Sequence, residues 1–458
     1  MEKIVIVGAG VAGVNAATKL VDNGYPGELI TIIDMGKSPY KRKPSEVMEG
    51  FLGAGGWSDG KLTYHTAIGG QLSKYCGEDK AMELMDQVIT NFKRFHPKPE
   101  EVQCSNPEAE PDFIKPYFGL RLFPVWHVGT DYLHEIGKNW YDYLVSKGVQ
   151  FEWEAKVTAI DFENNTGKVT VPQSDLTHTF EYDRLIFAVG KSGIDFGKQL
   201  ADDYNFPTEP KPVQIGVRFE APQKHFQKLI DISYDFKLYR KFDNGVSLRS
   251  FCTNNNAAYV AVEETYGDHS YNGHAKKDMR FRNDMTNFGI LMEIPGIEEP
   301  FKWSRDLVKK VQKDATGLFY SPSRRPSLTS EGGTVSAVAI NAQQMDKVRE
   351  AFQGYYQYID DFIEDMKKVF PTLAHDWGVY IPEVKYLAPE PLVDYKNLAL
   401  AQFDNVHFVD DALSARGITV SGAQGTYVAE DILERFCTVE NGSYICEWDN
   451  IHGDVINW

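Results

Sequence analysis

The sequence predicts an α/β fold: a discontinuous, three-layer Rossmann-like domain carrying an inserted α+β domain. Three observations predict it. The chain opens on strand, glycine turn, helix and strand within its first 34 residues. A strand, glycine-containing loop and helix return at residues 406–436. Between them, residues 205–388 change character, with strand-like pieces followed by helical ones. The expected division is 1–204 for the first part of the nucleotide-binding domain, with a helical insertion at about 71–125. Residues 205–388 form a substrate domain, 389–436 the return segment and 437–458 a tail.

Each element follows from its residues. Lys3–Val7 is β-branched and reads as a strand; Ala and Val at helical spacing over 11–23 predict a helix that Gly24 stops; 29–33 is a second strand. Residues 81–95 repeat Met82, Met85, Val88, Phe92 and Phe95, an amphipathic helix. The acidic, Pro-rich stretch 97–112 is a connection. Thr130 and Asp131 are expected to cap a helix whose inner face is Leu133, Ile136, Trp140 and Leu144. A meander is expected over 150–190. It has a strand at Phe151–Ile160, a turn at Asn164–Gly167, a strand at Lys168–Val171 and a buried strand at Leu185–Val189. Strands are expected at 214–220, 246–252, 258–263 and 286–293, then helices at 304–313 and 342–370. Val406–Val409 is the returning strand, and the tail, with Trp448 and Trp458, has no readable pattern.

Composition bounds the function. At 458 residues the chain exceeds one compact core, and 42 % hydrophobic with 25 % charged residues is globular composition. No apolar run reaches membrane-spanning length, and Ile4–Val7 is too short for a signal-peptide core, so a cytoplasmic protein is expected. Cys76, Cys104, Cys252, Cys437 and Cys446 are odd in number, with no C-x-x-C pair; reduced thiols and no metal site are expected. A net charge of −17 opposes extensive nucleic-acid binding. The short runs Lys41–Lys43 and Arg324–Arg325 read as solvated loops.

Gly8-Ala9-Gly10-Val11-Ala12-Gly13 follows a strand and opens a helix, and Asp34 ends the next strand. Gly8 allows a tight turn, Gly10 lets backbone approach a pyrophosphate, and Gly13 permits close helix–strand packing. The helix N-terminus offers N–H groups to phosphate, and Asp34 offers acceptors to ribose hydroxyls. The return segment, Val406 to Ile418, points to FAD rather than NAD. Its strand ends in a carboxylate, Asp411, suited to a ribityl hydroxyl; Gly417, Ile418 and the N–H groups near Gly422–Thr426, including Gly425, suit a reduced flavin's charge. Val157 and Gly190 complete the expected cofactor contacts. No second glycine motif follows a strand, so NAD(P)H would bind only as a transient reductant. The loop Gly53–Thr63 brings Gly55, Gly56, Ser58, Asp59 and Lys61 near a flat ring or phosphate, or forms a plain turn.

Several motifs together resemble the FAD-dependent dehydrogenases of bacteria and plastids, often known only as NAD(P)/FAD-dependent oxidoreductases. They are the 8–13 turn, Gly55–Thr63, His127–Asp131, Phe187–Gly193, Ile215–Glu220, Arg249–Cys252, Thr286–Phe288 and Arg416–Ile418. The resemblance implies a two-lobed flavoprotein with a glutathione-reductase-like FAD fold and supplies no substrate. This chain departs from the family at Asp410-Asp411, where a Gly-Asp pair is usual. It departs again at Thr253-Asn254-Asn255-Asn256, which replaces a Cys-, Pro- and Gly-rich stretch.

Candidates for catalysis are His127, as a proton shuttle or a structural histidine, and Arg416, as a substrate-carboxylate or flavin-charge partner or a loop anchor. Cys252 reads as a buried inert thiol. Arg218 and Arg249 are expected to bind an anion or to pair with Glu263 or Glu220, and Asn272 and His274 to lie on a polar loop capping the pocket. No G-x-S-x-G elbow supports a hydrolase. The expectation is an FAD-dependent oxidoreductase moving a hydride between a small or pocket-sized substrate and flavin N5. The alternatives are a flavin oxidase or lyase acting on an amine or modified-nucleobase C–N bond, and a non-catalytic flavin-stabilised binding protein. The expected partner is a small molecule and not a membrane; the oligomeric state is not readable.

Overall fold

Ile4–Val7 (β1) is buried at every position, which four consecutive β-branched residues achieve only inside a sheet covered on both faces. In the computed structural model, which describes residues 1–43, 46–107, 111–265, 267–315, 318–320, 338–440 and 443–446, β1 is central in a six-stranded sheet. The order is Ala399–Leu400, Phe403–Phe408, Arg184–Phe187, β1, Ile30–Ile33 (β2) and Gln150–Glu152. The pairings are parallel except at the Ala399–Leu400 edge. Val7 lies level with Phe187, and Phe187 with Phe408. The turns that leave these three strands therefore open side by side.

The helix Val11–Asp22 (α1) is nearly all buried because Ile418–Glu434 lies against it. The approach needs glycine: a Cβ on Gly425 would stand 2.0 Å from the Ala12 carbonyl oxygen. The helix Glu78–Phe95 packs on Ile418–Glu434, turning Met85, Val88, Phe92 and Phe95 inward as expected; Met82 is half-buried and Leu84 is buried instead. Residues 150–161 do not form the single expected strand. Gln150–Glu152 joins the parallel sheet and Lys156–Asp161 a separate antiparallel meander, with a break at Glu154, whose φ is +56°. The meander's third strand, Leu176–Glu181, was not expected; it is exposed nearly throughout and so carries no apolar alternation.

A second core fills an eight-stranded sheet built around Val213–Pro222, Met285–Ile294, Ser247–Asn254 and Gly378–Lys385. Its edge strand, Gly119–Leu122, comes from the stretch expected to be a helical insertion. The expected helix 342–370 is two helices, Ala342–Ala351 and Tyr356–Val369, separated at Gln353 and Gly354, both with positive φ. Asn272 and His274 do not lie on a polar loop. They belong to the strand Asp268–Ala275, paired with Ala258–Thr265.

Cys76, Cys104 and Cys252 are free thiols. Cys437 is disulfide-bonded, which corrects the expectation of reduced thiols throughout; its strand sets it opposite Cys446. Within the run 41–43, Lys41 and Lys43 are exposed but Arg42 is buried. Arg324, Arg325, Trp448 and Trp458 lie outside the described residues. Among the described residues no helix is long and apolar enough to cross a membrane.

Candidate active site

The three neighbouring turns form a cradle of bare backbone. Gly8 has φ +109°, and a Cβ there would sit 2.0 Å from the Ala188 carbonyl oxygen, so its hydrogen lets the adjacent turn pass. Gly13 is equally tight, 2.3 Å from the Gly8 carbonyl oxygen. Gly10 is different: the nearest atoms to its missing Cβ are Asp410 Oδ2 at 3.5 Å and Ala188 O at 3.9 Å. Gly190, at φ +58°, faces the same carboxyl oxygen at 3.6 Å. Gly10 is also the N-cap of α1 and supplies no side-chain cap. The uncapped N–H groups of the first turn therefore open beside the two glycines and Asp410 Oδ2, a fit to a diphosphate.

Asp34 closes one end. Its Oδ2 accepts from the Ala9 N–H (2.8 Å), and Oδ1 from Gly36 (2.7 Å) and Gly50 (2.9 Å). A carboxylate has about four lone-pair directions, so capacity for a ribose hydroxyl remains. Beside it opens a cavity of about 210 Å³ lined by Gly36, Lys37, Glu46, Glu49 and Glu154. Arg42, expected within a solvated run, is buried and braces this corner. Its guanidinium donates to the carbonyls of Glu46, Val47, Phe51 and Gly53, and burial lowers its pKa to about 10.

At the other end, Gly55 packs on Val11 and Ile418, and Gly56 on Leu52 and Arg42. Both glycines thus seat the loop on its neighbours. Ser58 Oγ donates to the Gly55 carbonyl and accepts from the Gly60 N–H. Gly417 caps Ile418–Glu434 without a side chain, so the free N–H groups belong to Ile418 and the residues just after it. Gly422–Thr426 lie further along, inside the helix, which moves the expected N–H donors back by one turn. Asp411 forms an ion pair with Arg416 at 2.8 Å, and Arg416 Nη2 donates to the Tyr386 carbonyl. Val157 is buried in the meander, opposite Val169.

Between this end and the eight-stranded sheet lies a buried polar basin. Asp59 pairs with Lys61 (2.9 Å) and accepts from Cys252 Sγ (2.9 Å); Lys61 also donates to the Thr253 carbonyl and faces Asp235 at 3.9 Å. Cys252 is a non-glycine residue held at φ +53°, and burial raises its thiol. Arg218, wholly buried, donates to the Cys252 carbonyl and Asn287 Oδ1, both at 2.7 Å, and lies 3.6 Å from Glu383. Arg249 bonds Gln214 and approaches Glu293. Glu263, one of the two expected partners, pairs instead with Lys191 and Asn272. His127 donates from Nε2 to the Asp59 carbonyl (2.9 Å), lies against the Tyr234 ring, and is driven by burial to about 4. It is a neutral brace of the Asp59 loop at neutral pH. His274 stacks on Tyr259, and burial lowers its pKa.

Two basin residues escaped sequence reasoning. Burial pushes Glu383 up to about 7; burial, helped by Arg249 and Arg416, pulls Lys385 down to about 7. Both lie on Gly378–Lys385, where the only signal was two charges, two apart, in an otherwise uncharged strand that is buried up to its last residue.

Residues 2–206 match the pyridine nucleotide-disulphide oxidoreductase family. No curated protein sequence matches the chain. Similar solved structures include a flavoprotein/dehydrogenase from Cytophaga hutchinsonii, at 13 % identity over 94 % of this chain and 79 % of that one, TM-score 0.39. The glycerol-3-phosphate dehydrogenase from Bacillus halodurans complexed with FAD shows 11 % identity over 95 % and 64 %, TM-score 0.39. CmlS, a flavin-dependent halogenase, shows 12 % identity over 95 % and 58 %, TM-score 0.40. The family match, the parallel sheet and the cradle define a Rossmann-type FAD-binding α/β fold, the class expected from the sequence. FAD is the dinucleotide they support.

Proposed function

We propose that the chain is an FAD-dependent oxidoreductase that moves a hydride between a small substrate and flavin N5. One observation carries the reading. The Gly8–Gly13 turn, the Gly190 turn and the Asp411–Ile418 loop, drawn from opposite ends of the chain, meet along one edge of one parallel sheet. Such an edge suits a long dinucleotide lying across strand ends. Bound FAD supplies a two-electron carrier. The chain supplies the rest. Backbone at Gly10 and Gly190 holds the diphosphate, Asp34 a ribose hydroxyl and Asp411 a ribityl hydroxyl. The N–H groups at Ile418 favour negative charge beside them.

Lys385 Nζ, half-buried and titrating near neutrality, is the proton carrier this reading assigns to the substrate side, with Glu383 two residues away. Arg416, tied to Asp411, fixes the loop between cofactor and basin. Purified protein is expected to be yellow, to release about one FAD per chain on heating, and to be bleached anaerobically by its substrate, with NADH and NADPH tested as transient reductants. A colourless preparation that takes up no added FAD would overturn the reading.

A further inference from the structure

Asp410 sits where the diphosphate cradle is barest. It adopts φ +67°, a left-handed conformation that glycine and asparagine hold at little cost but that strains most side chains. That backbone directs its carboxyl between Gly10 and Gly190, 3.5 and 3.6 Å from the positions their Cβ atoms would occupy. The residue is 8 % exposed. Oδ1 accepts from Ser421 Oγ at 2.9 Å, and the backbone N–H donates to Gln424 Oε1. Oδ2 is the oxygen that faces the cradle.

A carboxylate there opposes a diphosphate. The two would be like charges in a partly dehydrated site, where repulsion is weakly screened. The surrounding groups offset it only in part: burial and the Asp411 charge outweigh the Ser421 hydroxyl, the Asp411 N–H and the Arg416 charge, which favour the carboxylate. Asp411, on the same loop, carries a like charge, and Arg416 is paired with Asp411 instead. The last helix presents only neutral Ser421 and Gln424, and the turns of β1 and of Arg184–Phe187 present glycine backbone. Lys191 is paired with Glu263. Among the described residues no lysine, arginine or histidine forms an ion pair with Asp410. A carboxylic acid, by contrast, has a proton to donate and makes Oδ2 a ligand for a phosphate oxygen.

We propose that Asp410 binds the dinucleotide as the neutral acid, donating from Oδ2 to a diphosphate oxygen, so that FAD uptake requires one proton on this side chain. The proposal rests on the FAD reading above. It makes cofactor retention a function of pH, set by a residue that need not touch the reacting atoms. Burial and Asp411 hold the Asp410 carboxyl well above the usual carboxylate range, so both protonation states are accessible near neutrality.

The test is the dissociation constant of FAD, read from quenching of flavin fluorescence on titration into deflavinated protein between about pH 6 and pH 9. Wild type should bind with constant affinity at the acid end. It should then weaken by up to about tenfold per pH unit once the free carboxyl ionises, one proton being linked to binding. Asp410→Asn, neutral and able to donate, should bind like the acid form of wild type with no such slope. Asp410→Gly should also be flat and should bind tighter than wild type at the alkaline end. Both substitutes suit the left-handed backbone, and a circular dichroism spectrum matching wild type confirms the fold. FAD binding by wild type that does not vary with pH overturns the proton linkage and leaves the flavin reading intact. A slope that persists in Asp410→Asn assigns the proton to another group and also overturns it. Absence of FAD binding at every pH overturns both.

Discussion

Gly8 and Gly10 look alike in the sequence and do different work. A Cβ on Gly8 would collide with the Ala188 carbonyl from a backbone of positive φ, so Gly8→Ala should lose at least about 2 kcal/mol of stability, read by urea unfolding. Gly10 has φ −67°, and a Cβ there meets nothing nearer than 3.5 Å. Gly10→Ala should therefore stay within about 0.5 kcal/mol of wild type in stability. It should nevertheless weaken FAD binding by about tenfold or more, because the methyl occupies the cradle. The motif announced both glycines, since phosphate contact needs bare backbone at a fixed spacing. It could not announce Lys385. That residue's chemistry comes from burial beside Arg249 and Arg416, groups far away in sequence. Lys385→Met should abolish an ionisation near pH 7 in the rate of flavin reduction. If the neutral amine accepts the substrate proton, wild type should accelerate as pH rises through about 7 while the variant stays flat.

Among the elements, those with one covered face and one period were legible: β1, α1 and the helix Glu78–Phe95 lie where their patterns put them. Legibility failed where chain direction turned within a continuous pattern. The apolar spacing over 342–370 runs through Gln353 and Gly354 without interruption, although the backbone there leaves the helical region. Leu176–Glu181 failed for the opposite reason, being a strand without an inner face. The returning strand Phe403–Phe408 carries its own test. His407 is fully buried, accepts from Arg184 at Nε2 and donates from Nδ1 to the Asn397 carbonyl; burial lowers its pKa from 6.5 to about 3. Between those values the unfolded chain binds a proton that the native strand refuses, so stability falls as pH drops through that window. Each unit of depression is worth about 1.4 kcal/mol. His407→Gln should flatten this limb of a stability–pH curve measured by denaturant unfolding.

For the whole molecule, the proposed cofactor site lies along the sheet's edge, so ligand and fold should be thermodynamically linked. FAD at about a hundred times its dissociation constant should add about 2.7 kcal/mol, read as a rise in melting temperature that the flavin analogue lacking adenosine diphosphate does not reproduce. The outline of this arrangement was legible because a glycine turn near residue 10 and a carboxylate-tipped loop near 411 both follow strands. The polar basin was legible only as scattered candidates, since its members come from Asp59 to Arg416 and are far apart in sequence.

The last helix, pressed through Gly425 against α1, also fixes when the cofactor can enter. During synthesis the N-terminal turn leaves the ribosome long before its partners beyond residue 400 exist, and the half-built groove has no far wall. On the proposed reading flavin loads only once the last helix, Ile418–Glu434, has been made, and copies that stop short of it should purify pale.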